Sequence, residues 1–277
     1  MDLKDLMRAG ELAEATYMRE FFQRADDASR TALGLATATI GGGVVAVMAN
    51  DPTPGFWNRT IGLGLDEPVT AGVVDEVLAF VREQGGRLTI FQVAPGAAPT
   101  GWEDVLSAAG AQPMSAWVKF VGDRVEPPAV TTDLRVERLT AEHGTEFAQV
   151  MCVGFGMPTD GPPPGWFAQM PSWDDDFRAY GAFDGHTMVA ASSLVVDGEL
   201  ASLCGAATLP EHRGRGAQGA LMAPRIDEAR SLGARYVVTE TGAETPDSPN
   251  PSLHNMRRMG LSEVYERRNW VWFAPQE

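Results

Sequence analysis

The stretch Arg213-Gly214-Arg215-Gly216-Ala217-Gln218-Gly219 decides how the second half of the chain folds. Alternating apolar residues precede it, as in a strand, and the pattern over residues 216–232 predicts a helix directly after it. Such a turn exposes unpaired backbone N–H groups at the positive end of a helix dipole, where they bind phosphate oxygens. Glycine lets the backbone approach a ligand closely, and the two arginines add charge and fork-shaped donors. The stretch therefore predicts an anion site of the phosphate type.

The same residues fit the G-x-G-x-x-G pattern of dinucleotide-binding domains, and Glu240 follows at the expected spacing of roughly 20 residues. A nicotinamide dehydrogenase is therefore the rival interpretation. In that fold the glycine turn follows the first strand of a parallel sheet. Here three predicted strands, joined by Asp184-Gly185 and Asp197-Gly198, precede it, and Asp-Gly is typical of antiparallel hairpins. Only two further strands are predicted after Gly219, so the context argues against a dinucleotide domain.

The second half as a whole predicts a domain of the mixed α/β (α+β) class. A Pro- and Gly-rich stretch from Met157 to Trp173 predicts a loop. The predicted strands are 134–139, 177–184, 187–196, 199–208, 236–240 and 263–273, and the predicted helices are 140–154, 216–232 and 252–259.

The first half repeats this order of elements. Its predicted helices are 3–24, 70–82 and 102–109, and its predicted strands are 33–40, 44–48, 59–63, 88–93 and 114–121. Ala108-Ala109-Gly110-Ala111 before Trp117-Val118-Lys119-Phe120 mirrors Arg258-Met259-Gly260-Leu261 before Trp270-Val271-Trp272-Phe273, so the halves look like distant repeats. Residues 122–132, with Pro127-Pro128, break the periodicity. We place a linker at 126–132, between domains 1–125 and 133–277.

Residues 201–231 resemble motif A of the GNAT superfamily of N-acetyltransferases, whose signature is [Q/R]-x-x-G-x-[G/A] between a strand and a long helix. Arg213 fills the first position and Gly216 the fourth, whereas Gln218 departs from the usual Gly or Ala at the last. The run from Asn250-Pro251-Ser252 to Met259-Gly260-Leu261 is similar to motif B of the family. The resemblance covers residues 133–277.

The resemblance implies two tandem GNAT-like domains, each a mostly antiparallel mixed sheet flanked by helices, with acetyl-CoA as co-substrate. It implies cofactor contacts along the pantetheine arm, around the pyrophosphate and from polar side chains of motif B. These are Ala206, Ala207 and Thr208; Arg213, Gly214, Arg215, Gly216, Ala217, Gln218 and Gly219; and Asn250, Ser252 and Asn255. At the matching place in the first half, Asp66-Glu67-Pro68 would repel pyrophosphate and remove a donor, so we predict one cofactor site per chain.

Acetyl transfer to an amine requires removal of an amine proton and a donor for the developing oxyanion. In the family, two parallel strands splay apart at a bulge and the thioester lies in the gap. The Tyr that many members use as leaving-group acid is replaced here by Met256. Glu240, at the end of the strand that faces the gap, is our candidate catalytic base. Glu199, His254, His212 and a water relay are the other options.

The resemblance places the acceptor pocket in the stretch 155–173. Trp166, Phe167, Met170 and Trp173 are the candidate lining residues. Asp174-Asp175-Asp176 could attract a cationic amine, although acidic runs are more commonly solvated surface. A tandem arrangement with a silent first copy resembles family enzymes that act on small molecules.

Composition excludes several classes of protein. The net charge of −15 repels phosphate backbones and argues against a nucleic-acid partner. No apolar run approaches the roughly 20 residues of a membrane span, and charges in residues 1–19 rule out a signal peptide, so we expect a cytoplasmic protein without a membrane partner. Two cysteines, Cys152 and Cys204, cannot form a four-cysteine zinc site, and we expect no metal.

These observations predict an acyltransferase that moves an acetyl group from acetyl-CoA to a primary amine of a small molecule. A catalytically silent CoA-binding sensor, which Met256 favours, and a protein N-acetyltransferase are the alternatives. The oligomeric state stays open, with a homodimer as one option.

Overall fold

A computed structural model describes residues 3–53, 55–96, 100–171 and 177–275. The chain divides into two compact units. Unit 1 consists of Met1–Trp117 with Tyr265–Glu277, and unit 2 of Val118–Val264. The predicted confinement of the cofactor site to residues 133–277 stays a prediction, as does the linker at 126–132.

The described residues form eight helices and eleven strands. The helices are α1 (Leu3–Gln23), α2 (Asp27–Leu33), α3 (Ala71–Glu83), α4 (Trp102–Ala108), α5 (Gly144–Phe155), α6 (Pro162–Gln169), α7 (Ala217–Ser231) and α8 (Pro251–Arg258). The strands are β1 (Leu35–Ile40), β2 (Gly43–Met48), β3 (Arg59–Ile61), β4 (Leu88–Gln92), β5 (Gln112–Asp123), β6 (Arg135–Arg138), β7 (Phe177–Asp184), β8 (Thr187–Asp197), β9 (Leu200–Thr208), β10 (Tyr236–Gly242) and β11 (Ser262–Phe273). Short 3-10 turns lie at Ala141–His143 and Pro210–His212.

Unit 1 has a mixed sheet in the order β1-β2-β3-β4-β11-β5. The first three strands are antiparallel, β3 and β4 are parallel, and β11 runs antiparallel to β4 with Asn269 opposite Gln92. The apolar face of α3 packs on this sheet through Val74, Val77 and Val81. The last strand of the chain therefore completes the sheet of the first unit.

Unit 2 has the order β5-β10-β9-β8-β7-β6. Strands β6 to β9 form an antiparallel meander, and β10 is parallel to β9. The core lies between this sheet and α7 and α8, with Leu221, Ile226, Leu253 and Met256 among its buried residues. The tight turns at Asp184-Gly185 and Asp197-Gly198 confirm the predicted hairpins, because Gly185 and Gly198 have φ angles of 60° and 55°.

The ends of α4 and α8 show how closely the units repeat. Gly110 and Gly260 follow these helices with φ angles of 89° and 84°. In each case the glycine N–H and the next N–H donate to the last turn, with Ala111 bonded to Leu106 and Leu261 to Met256. These paired helix ends fit the predicted repeat.

Two segments were predicted wrongly. α2 was missed, although Asp26 caps it by accepting from the Ser29 N–H at 2.7 Å and Gly34 ends it at a φ of 62°. The predicted loop 157–173 contains α6, because proline is compatible with the first turn of a helix, where its missing N–H has no intrahelical partner. Within the described ranges, no helix is both long enough and apolar enough to span a bilayer.

Candidate functional site

The parallel strands β9 and β10 pair over a short distance only. Their register covers three positions, from Leu200 opposite Tyr236 to Ser202 opposite Val238. At the next position the Thr239 hydroxyl donates to the Leu203 carbonyl at 2.8 Å. The later residues of β9 therefore keep a backbone edge for another partner.

A bulge lies in this part of β9. Gly205 and Ala206 occupy the space that Ser192 alone fills on β8, and Gly205 has a φ of 49°. A bulge bends a strand and locally interrupts its pairing, as the resemblance implied for the thioester site.

A cavity of about 710 Å³ borders the end of β9 and the beginnings of α7 and α8. It brings together most of the residues predicted to contact the cofactor. Those are Ala206, Ala207, Thr208, Arg213, Gly214, Gly216, Ala217, Gln218, Asn250, Ser252 and Asn255. Gly154, His212, Leu221, Arg225, Pro251 and Arg258 also line it.

The N-terminus of α7 carries no side-chain cap. Its N-cap is Gly216, with a φ of 79°, which has no side chain to accept from the first backbone N–H groups. These groups form the positive end of the helix dipole, and this end borders the cavity. A Cβ on Gly216 would lie 2.9 Å from the Thr131 carbonyl oxygen, so both the backbone angle and the space require glycine. At Gly214, which has the same φ, nothing lies within 4 Å of the corresponding position.

The two arginines of the turn have different surroundings. Arg213 is exposed, lines the cavity and donates from Nε to the Thr208 carbonyl at 3.4 Å. Arg215 does not line the cavity: it donates to Asp184 at 2.6 Å and pairs with Asp133. Its guanidinium lowers the pKa of both carboxyls through these hydrogen bonds. The predicted cofactor role of Arg215 stays a prediction, and the geometry favours anchoring of the turn.

Gln218, which departs from the family pattern, connects α7 to α8. Its Nε2 donates to the Ser252 hydroxyl at 2.5 Å, and its Oε1 accepts from Asn255 Nδ2 at 2.6 Å. Asn250 caps α8 by accepting from the Ser252 N–H at 3.0 Å. The neighbouring Gly219 faces Val130 and Met259 instead of the cavity.

Arg225 is a buried cation in the cavity wall. It is 2% exposed, and it donates from Nε to the Leu221 carbonyl and from Nη1 to the Ser193 carbonyl, both at 2.8 Å. Burial lowers its pKa to about 10. The signal that could have found it is the spacing of Leu221, Arg225 and Ala229, which puts all three on the inner face of α7.

The candidate base, Glu240, pairs with Lys119 at 2.7 Å, and both side chains are largely buried. Glu240 is not part of the cavity lining, so its assigned role stays a prediction. Of the other options, Glu199 is exposed, His254 pairs with Glu244 at 3.0 Å, and His212 lines the cavity.

Trp166, Phe167 and Met170 are packed in the protein interior. All three are fully buried, and Phe167 stacks on Phe155 with ring centroids 6.1 Å apart. They do not line the 710 Å³ cavity. A pocket lined by them stays a prediction, and Trp173 and Asp174-Asp175-Asp176 lie outside the described residues.

Cys152 and Cys204 are free thiols, and burial raises the pKa of each to about 12. Both are therefore protonated at neutral pH. Across the described part of the chain, no cluster of three or more His, Cys, Asp or Glu side chains could hold a metal ion.

No protein-family model and no curated protein sequence matches the chain. Solved structures do match it. A GCN5-related N-acetyltransferase from Kribbella flavida superposes with a TM-score of 0.61 at 15% identity, over 96% of each chain. One from Sphaerobacter thermophilus gives 0.60 at 14% identity, over 90% of this chain and 85% of that one.

A tandem GNAT protein from the clavulanic acid biosynthesis pathway, without AcCoA, gives a TM-score of 0.59 at 16% identity, over 86% of this chain and 80% of that one. Likenesses at this level of identity describe the fold. They confirm the predicted mixed α/β class with two tandem GNAT-like domains.

Proposed function

We propose that this chain, which has the tandem fold of GCN5-related N-acetyltransferases, transfers an acetyl group from acetyl-CoA to a primary amine of a small molecule. The observation that carries the proposal is the 710 Å³ cavity, which joins the uncapped N-terminus of α7 to the bulged edge of β9. Acetyl-CoA combines a pyrophosphate with a long arm that contains amides, and the two ends of the cavity suit these two parts.

The pyrophosphate end is the N-terminus of α7. Backbone N–H groups there, together with the dipole of a 15-residue helix, favour a group of negative charge. Arg213 adds an exposed guanidinium at the same place, and Arg258 adds another from the end of α8. This positive rim stands out on a chain whose net charge is −15.

The arm would lie along Ala206–Thr208. Ala207 and Thr208 pair with β8 on one side, and the parallel register with β10 has already ended at Ser202. An extended chain that contains amides adds to such an edge as a strand does, through backbone hydrogen bonds.

In the transfer, the neutral amine nitrogen attacks the thioester carbonyl carbon. The C–N bond forms, the C–S bond breaks, and the thiolate leaves with the electron pair. The amine loses one proton to a base, and the thiolate gains one from solvent. We keep Glu240 as the candidate base, acting through water because it does not line the cavity. Most of the acceleration then comes from positioning the two reactants.

A silent CoA-binding sensor is the second candidate, and one observation favours it. Met256, at the position where family members carry an acid, is 5% exposed and belongs to the core of unit 2. It offers no proton to a leaving thiolate.

The test is calorimetric titration with CoA and with NAD, together with free-thiol release from acetyl-CoA across a panel of small amines and lysine-bearing proteins. We expect one CoA per chain and turnover with at least one amine. Binding without turnover on any amine would favour the sensor. Turnover only with protein lysines would favour a protein acetyltransferase. Binding of NAD in place of CoA would overturn the assignment of the cavity.

A further inference from the structure

We propose that Arg225 forms a carboxylate-binding site at the reacting end of the cavity. The chain would then prefer a reactant that carries a carboxylate close to the reacting atoms. The inference rests on the proposed function, because it takes the cavity as the place where an acyl-CoA and an amine meet.

Arg225 differs from the other buried arginines of the chain. Arg59 and Arg267 pair with Glu14, and Arg178 lies 3.0 Å from Glu228. Arg225 is as buried as these, yet its described hydrogen-bond partners are two backbone carbonyls. Among the residues that the structure describes, no carboxylate pairs with it. Buried charges in proteins are normally paired, so this one leaves room for an anion from outside.

The donors of Arg225 are only partly used. Nε and Nη1 each donate to a carbonyl, and the remaining N–H groups of the fork are available where the side chain lines the cavity. With a pKa of about 10 the guanidinium is charged at neutral pH. A planar charged fork binds a carboxylate through two parallel hydrogen bonds.

The position of Arg225 separates it from the phosphate end. It lies eight residues after Ala217, so about 12 Å along the axis of α7. Its partner Ser193 is opposite Cys204, next to the bulge at Gly205 and Ala206. This is where β9 and β10 stop pairing, at the far end of the cavity from the helix N-terminus. The anion it suits is therefore not the pyrophosphate.

Two further polar groups lie on the adjacent strands. Ser192 and Tyr180 are opposite each other on β8 and β7, and both are buried. Neither hydroxyl has a hydrogen-bond partner in the described structure. Ser192 is the chain neighbour of Ser193, so the region beside Arg225 holds more polar groups than the protein itself satisfies.

The carboxylate has two sources. It can belong to the acyl group, as in the CoA thioester of a dicarboxylic acid, or to the amine acceptor, as in an amino acid. The first arm of the test compares succinyl-CoA with acetyl-CoA in binding and thiol release. The second uses acetyl-CoA and compares amino acids with the amines that lack their carboxylate.

The variants are Arg225→Met, Arg225→Lys and, as a control on the same cavity, Arg213→Met. Arg225→Met removes the cost of burying an unpaired charge, and thermal unfolding checks that the variant is folded. In the wild type we expect the carboxylate-bearing reactant to be preferred roughly 10- to 100-fold in one of the two arms. Arg225→Met should abolish that preference, and Arg225→Lys should retain part of it.

Arg213→Met should weaken both thioesters alike and leave the preference intact. Loss of preference in the succinyl-CoA arm assigns the carboxylate to the acyl group, and loss in the amine arm assigns it to the acceptor. If the wild type shows no preference in either arm, or if Arg225→Met keeps it, the inference is wrong while the proposed function stands. If neither thioester binds to the wild type, the proposed function itself is wrong.

Discussion

The N-termini of α3 and α7 occupy equivalent places in the two units, after a strand that pairs in parallel with the next one over three positions. α3 is capped by its own chain, because the Thr70 hydroxyl accepts from the Val73 N–H at 3.3 Å. α7 begins at Gly216 with no such cap. The Thr70 cap satisfies one of the first N–H groups of α3, whereas no side chain caps those of α7.

The polar groups of the two units differ in the same sense. In unit 1, Arg267 pairs with Glu11 and Glu14, and Arg59 pairs with Glu14, all nearly or fully buried. Arg8 donates to the Leu65 carbonyl at 2.9 Å and to Asp66, so the loop before α3 already has a cation of its own. In unit 2 the backbone at Gly216 and the side chain of Arg213 line an open cavity. The unit with the open cavity is therefore the one in which we propose a bound ligand.

The largest expected effect comes from breaking the buried network of unit 1. Arg267→Met should lower the free energy of unfolding by about 3–5 kcal/mol, because it leaves Glu11 and Glu14 as buried charges with fewer partners. Urea denaturation measures this. Arg135→Met, which removes an exposed pair with Glu137, should cost under about 1 kcal/mol. An equal loss in the two variants would show that the network of unit 1 is not structural.

The next effect concerns the ligand-facing end of unit 2. Gly214→Asp should weaken CoA binding roughly 100-fold, because a carboxylate at the helix N-terminus repels pyrophosphate at short range. Gly214→Asn has nearly the same size and the same backbone strain at a φ of 79°, so it is the matched control. Calorimetry measures the affinity of the two variants for CoA. Similar affinities would show that the pyrophosphate does not bind at this turn.

Removing the cap of α3 tests the other side of the comparison. Thr70→Ala should lower the free energy of unfolding by about 1 kcal/mol, because the Val73 N–H loses its acceptor. The stoichiometry should remain one CoA per chain, since freeing one N–H does not remove Asp66. Thr70→Ser keeps the hydroxyl and should behave like the wild type. A second CoA bound by Thr70→Ala would mean that the Thr70 cap alone prevents unit 1 from binding CoA.

Local patterns in the sequence were enough for most of the fold. Asp-Gly turns, the spacing of Val74, Val77 and Val81, and Gly110 and Gly260 at helix ends each follow from the conformational preferences of a few adjacent residues. The signals that begin and end α2, Asp26 and Gly34, were also present in the sequence, but residues 25–32 were assigned to no element. The placement of β11 beside β4 depends on which distant strand it meets, and β5 and β11 look alike locally, with Trp-Val-Lys-Phe in one and Trp-Val-Trp-Phe in the other.

The candidate site was predictable where it is made of backbone, and less so where it is made of side chains. The glycine turn predicts an anion site through residue type and order alone, whereas the role of Ala206–Thr208 was implied by the resemblance to motif A. Arg215 pairs with Asp133 and Asp184, which are distant from it in the sequence. The residues of the turn alone could therefore not predict these ion pairs. Arg225 was overlooked because an arginine on a helix is usually solvated, and its burial depends on the β8 carbonyl that it meets.

The smallest expected effect separates two roles for Gln218, the residue that breaks the family pattern inside the cavity. Its side chain joins α7 to α8 through Ser252 and Asn255, so Gln218→Ala should lower the free energy of unfolding by roughly 0.5–1 kcal/mol. If that link is its whole role, the dissociation constant for CoA should change less than about threefold, because the N–H groups of the turn are untouched. Asn255→Ala removes one of the two bonds and should show a smaller loss of stability. A tenfold weaker affinity for CoA in Gln218→Ala, with a smaller change in Asn255→Ala, would instead show that Gln218 contacts the cofactor directly. The N-termini of α3 and α7 would then differ by a ligand-binding side chain as well as by a cap.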